Sequence, residues 1–142
     1  PWQATSLLLR EDMKTIEVVA AIIKNKDKIL CTQRGLSKFD YISKKWEFPG
    51  GKIETDETAF DAIKREILEE LNLEITISEF FTSVTHQYPD FKIKLDFFLC
   101  STVSDQLVLT EHIKAAWLKP SEMLDLDWAA ADIPAVEKLI SL

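Results

Sequence analysis

The chain has 142 residues, 46% of them hydrophobic, with 24 acidic against 17 basic side chains and a formal net charge of −7. That length and balance fit one globular domain with a core of its own, and the acidic charge argues against binding a nucleic-acid backbone or an anionic membrane. The longest uninterrupted apolar run, Val18–Ile23, is far too short to cross a bilayer.

Residues 1–14 contain Leu7-Leu8-Leu9 with no basic segment before it, unlike a secretory leader. They read as an extension upstream of Met13, and the domain is expected over residues 15–142. Glu17–Lys24 (EVVAAIIK) is expected as a buried strand, and Lys28–Arg34 (KILCTQR) as its partner across the polar turn Asn25-Lys26-Asp27. A polar loop, Leu36–Lys45, leads to a short strand at Trp46-Glu47-Phe48. Pro49-Gly50-Gly51 reads as the turn that ends it.

Glu57–Leu71 is expected as a helix, because Phe60, Ile63, Ile67 and Leu71 recur at spacings of three and four. Thr55 and Asp56 are its candidate caps. Leu73–Val84 and Lys92–Phe97 read as strands joined through Tyr88-Pro89-Asp90. Ala115–Leu118 reads as a short strand, Pro120–Leu126 as a helical turn and Asp132–Leu142 as a closing helix. Strands on both sides of a central helix imply α/β: a mixed sheet between helices.

Cys31 and Cys100 lie in apolar segments and form no C-x-x-C pair, so they read as buried thiols in a reducing, cytoplasmic setting. Only two histidines are present, too few to support a Cys/His zinc site. Carboxylates are left to carry the chemistry. Glu66, Glu69 and Glu70 stand at i, i+3 and i+4, where like charges repel by a few tenths of a kcal/mol per pair. On a helical wheel with Ile63 at zero, Ile67, Phe60 and Leu71 fall at about 40°, 60° and 80°, and Glu70 at roughly 340°. Glu70 thus borders the apolar stripe instead of opposing it. Either the triplet is a solvated acidic patch, or a cation sits among the carboxylates. Two of the three glycines in the chain, Gly50 and Gly51, precede this helix and let backbone approach a ligand; Lys52 follows as a possible phosphate contact. The lysine is not part of a P-loop, whose glycine spacing is missing.

From Gly51 to Leu73 the sequence GKIETDETAFDAIKREILEELNL resembles the Nudix box, G-x5-E-x7-R-E-U-x-E-E-x-G-U, where U is apolar. Gly51, Glu57, Arg65, Glu66, Ile67, Glu69, Glu70 and Leu73 match; Asn72 replaces the glycine that ends the helix, and asparagine is the next residue able to adopt a left-handed cap. Beyond the box, EVVAAIIK, KILCTQR, WEFPGGKIE, Glu111-His112 and LDWAAADIP resemble the MutT-like branch, the small nucleoside-triphosphate pyrophosphohydrolases.

The resemblance implies the Nudix α/β/α sandwich and hydrolysis of a (deoxy)nucleoside triphosphate to monophosphate and pyrophosphate with Mg2+ or Mn2+. It assigns the metal shell to Glu66, Glu69 and Glu70 with the Gly50 carbonyl and Glu111. Arg65 then fixes the glutamates and Glu57 supports the helix start. The general base is open between Glu66, Glu69 and Glu111, with Glu66 favoured. Arg34 and Lys52 are candidates for phosphate contacts; Phe48, Tyr88 or Phe91, and Trp128 are candidates to stack on the base. Asp132, if ionised, would accept from an exocyclic amine, and the AADIP ending resembles the CTP and modified-dCTP hydrolases of the branch; its other reading is the cap of the last helix. Two rivals remain, a nucleotide-sensing module that does not cleave and a structural domain with a solvated acidic helix. Nothing in the sequence fixes the oligomeric state.

Overall fold

The computed structural model describes residues 15–142; the 1–14 extension lies outside the described residues. The sheet is built on β1 (Thr15–Asn25) and β2 (Lys28–Gln33), which pair antiparallel across a turn where Lys26 takes a positive φ of 58°. β3 (Trp46–Glu47) extends β2, and β4 (Gly50–Lys52) pairs antiparallel with β1. The long hairpin β5 (Thr76–Gln87) and β6 (Lys92–Ser101) joins through a parallel β1–β6 ladder, and β7 (Lys114–Leu118) pairs with β2. The strand order is β3-β2-β1-β6-β5, a mixed sheet of seven strands among the described residues.

Helices cover both faces. On β1, Val19, Ala21 and Ile23 pack against Ala62, Ile63, Ile67 and Leu71 of α1 (Ala59–Leu71). The alternate residues Ile16, Val18, Ala20 and Ile22 join Ala135, Val136 and Leu139 of α2 (Ile133–Ile140) on the other face. A strand buried on both sides must be apolar at every position, which is why EVVAAIIK runs without alternation. Each fully buried Ile or Leu in these two layers contributes about 1.5–3 kcal/mol of burial. The α/β expectation and the element order hold.

Three local expectations are corrected. Pro49-Gly50-Gly51 is not a turn: Gly50 and Gly51 belong to β4, opposite Ala20 and Val19. The strand approaches so closely that a Cβ on Gly50 would lie 2.0 Å from the Val19 carbonyl oxygen. The helix starts at Ala59, capped by Thr58, whose Oγ1 accepts from the Asp61 amide at 3.1 Å. Asp56 instead takes a positive φ of 65° in the turn before it. Phe60 is 47% exposed and meets Phe98 edge-on, so the buried sector of α1 runs through Ala62, Ile63, Ile67, Glu70 and Leu71. Asn72 does close the helix in the left-handed region, at φ 52° and ψ 43°, with its N–H bonded to the Leu68 carbonyl.

Candidate active site

Glu70 falls in the middle of the buried sector of α1 and is 4% exposed. Its Oε2 is buried and has no hydrogen-bond partner among the described residues. Burial pushes its pKa far above the carboxylate range, and hydrogen bonding and charge from Glu66, then the charges of Glu47 and Glu111, add to the shift. Glu66 lies alongside, its carboxylate pressed onto β4: a Cβ on Gly51 would meet the Glu66 carboxyl carbon at 2.4 Å. Gly51 is therefore glycine to leave room for an acid.

Arg65 organises the rest. It forms a fork with Glu57, Nε to Oε2 at 2.7 Å and Nη2 to Oε1 at 3.0 Å, and Nη2 also donates to the Lys52 carbonyl at 3.2 Å. Nη1 reaches Glu66 at 3.0 Å and the largely exposed Glu69 at 3.3 Å. The Arg65 fork and the Glu54 amide hold the Glu57 carboxyl down to about 2. No group of three His, Cys, Asp or Glu side chains among the described residues is arranged to hold an ion. The donor set nevertheless suits a hard divalent cation, because a buried carboxylate oxygen lacking a partner lies beside a second carboxylate in a notch kept open by glycine. Glu111 is exposed on a loop tied to the end of α1, where Thr110 donates to the Glu70 carbonyl and Val108 to that of Leu71.

Beside the acids, a pocket on the α2 side of the sheet is lined by Val18, Arg34, Glu47, Phe48, Gly50, Tyr88, Ala131 and Asp132. Of the predicted base contacts, Phe48, Tyr88 and Asp132 line it. Trp128 and Phe91 do not: Trp128 packs behind Phe48 at 4.9 Å between ring centroids with Nε1 bound to the Met123 carbonyl, and Phe91 is buried among Phe39, Tyr41 and Tyr88. Asp132 occupies the cap position of α2 but makes no capping bond; its Oδ2 accepts from the Phe48 amide at 3.0 Å. Burial, then the Glu47 charge, raises its pKa well above the usual value, against the lowering effect of the Phe48 amide and Arg34. Arg34, expected at the phosphates, is buried and binds Glu47 Oε1 at 3.0 Å.

Sequence reasoning missed Glu47 and His112. Glu47 is half-buried; desolvation pushes its pKa up, but Arg34 and His112 outweigh that and hold it below the usual range. An acid between two aromatics, Trp46 and Phe48, was the available signal. The segment carrying Asp132 is pinned next to it by Trp46 and Asp127, whose backbone groups bond at 2.8 Å, and by the Ala131 N–H donating to the Tyr88 hydroxyl at 3.0 Å.

A family model for the NUDIX domain matches residues 13–139. The chain belongs to the NUDIX family. It is 38% identical over 130 residues to the CTP pyrophosphohydrolase of Escherichia coli K12, covering 92% of this chain and 95% of that protein. It is also 38% identical over 131 residues to the 8-oxo-dGTP diphosphatase of Haemophilus influenzae, covering 92% and 95%. The solution structure of the E. coli ORF135 protein superposes with a TM-score of 0.76 at 38% identity over 93% of both chains. This Nudix hydrolase thus keeps every charged position of the box, with Asn72 as its one departure.

Proposed function

We propose that this Nudix hydrolase cleaves a (deoxy)nucleoside triphosphate to the monophosphate and pyrophosphate, acting on cytosine or modified nucleotides in the cytoplasm and so clearing the nucleotide pool. The observation that carries the reading is Glu70: a buried acid with an orphaned oxygen, braced against Glu66 in the Gly51 notch. Glu66, Glu69 and Glu70, with the Gly50 carbonyl and Glu111, are the groups that would hold Mg2+ (Mn2+ as substitute). The bound ion supplies charge neutralisation for the phosphates and a more acidic water. Glu66 takes the proton from the attacking water as general base, and Arg65 holds its rotamer and that of Glu69. Lys52 faces the phosphates from β4, while Arg34 acts on the substrate through Glu47 and the pocket wall.

In the pocket, Phe48 and Tyr88 stack on the base. Glu47 and Asp132 together present carboxyl acceptors on the pocket wall, which matches an exocyclic amine such as that of cytosine. The name of the E. coli relative, a CTP pyrophosphohydrolase, supports this choice. A second reading, 8-oxo-dGTP as substrate, rests on relatives named for that activity. Initial rates with CTP, dCTP, 5-methyl-dCTP, dGTP and 8-oxo-dGTP decide: the cytosine nucleotides lead in kcat/KM, and an 8-oxo-dGTP preference of tenfold or more would replace the first reading with the second.

A further inference from the structure

His112 stands between the two halves of the site. Its side chain is 4% exposed, and Nε2 lies 3.0 Å from Glu47 Oε2 and 3.9 Å from Glu70 Oε1. Glu47 spends its other oxygen on Arg34 at 3.0 Å, so the pocket wall is a chain, Arg34–Glu47–His112, that ends on the acidic cluster. As plain core filling, this imidazole would be a poor choice. Its Nδ1 is buried and has no partner among the described residues, and such an orphan costs about 1–3 kcal/mol that an apolar side chain would avoid. The loop bearing it is also fixed from both sides, by Thr110 on the Glu70 carbonyl and by the Ile113 N–H on the Gln33 carbonyl at 2.9 Å.

We propose that His112 is a positioning residue for base discrimination. It holds Glu47 Oε2 at 3.0 Å, at the angle the base reads, so its loss weakens discrimination among bases and does not slow every base alike. This inference rests on the proposed hydrolase reading and adds a residue to it.

The test measures the ratio of kcat/KM for the best and worst nucleotide of the panel above in wild type, His112→Leu, His112→Gln and His112→Asn, each checked for native circular dichroism. Glutamine carries its amide nitrogen to the reach of Nε2, whereas asparagine stops near Nδ1. The proposal expects the ratio to fall more than fivefold in His112→Leu and His112→Asn and to stay within twofold of wild type in His112→Gln. Should leucine not fold, the glutamine–asparagine pair decides alone. Equal losses on every base, or a ratio that glutamine fails to keep, overturn it. A wild type that releases no pyrophosphate from any nucleotide would instead overturn the hydrolase reading underneath.

Discussion

Glu70 is an acid where an isoleucine would stabilise the fold, and its consequences can be measured without substrate. In the metal-free protein its folded-state pKa is raised, so the unfolded chain releases this proton near pH 4.3 while the fold retains it. Stability therefore falls as pH rises above about 4.3 and is unaffected below. Urea denaturation in EDTA should find Glu70→Gln more stable than wild type by about 1–3 kcal/mol at pH 8, with the gap closing at pH 4. Its turnover should drop at least 100-fold, as expected for a lost metal ligand. A second substitution tests the pocket: Asp132→Asn keeps the size but fixes one donor and one acceptor, and should change the ratio of dCTP to 8-oxo-dGTP turnover by about tenfold. An unchanged profile would remove Asp132 from base recognition.

Between elements, two adjacent glycines do separate work. A Cβ at Gly50 runs into the Val19 carbonyl and Ala20 Cα of β1, which cannot yield, so Gly50→Ala should destabilise by about 2–4 kcal/mol in chemical denaturation. At Gly51 the obstacle is the flexible end of Glu66, so Gly51→Ala should fold within about 1 kcal/mol of wild type yet lose most activity. At the other end of α1, Asn72→Gly should raise stability by about 0.5–1 kcal/mol with unchanged kcat, because glycine enters the left-handed region freely. The helix itself was legible: its period puts Glu70 in line with Ile63 and Ile67 whatever surrounds it. Its start was not, since Thr55, Asp56 and Thr58 all suit a cap and only the preceding turn chooses Thr58. Pro-Gly-Gly read as a turn because glycine is poor in strands, and the close approach to β1 that demands it is a tertiary fact.

Across the molecule, chain order and the α/β architecture follow from apolar patterning, because a strand covered on both faces has no polar side to hide. The acidic half of the site was legible for a related reason: its residues lie within one box on one helix. The pocket proposed for the base was not, for its surroundings are assembled from partners 13, 65 and 84 positions apart: Arg34 with Glu47, Glu47 with His112, Phe48 with Asp132. Local sequence carries no sign of such pairings, and Trp128 and Phe91, plausible by position, turn out to support the pocket from behind. The central claim is that the buried acid of α1 serves hydrolysis. It is tested most directly by quantifying monophosphate and pyrophosphate released from CTP and dCTP with Mg2+ by wild type and Glu70→Gln. The account predicts the two products in equal amounts from wild type and at least 100-fold slower release from the variant; wild-type turnover left intact by Glu70→Gln, or release of inorganic phosphate in place of pyrophosphate, would contradict it.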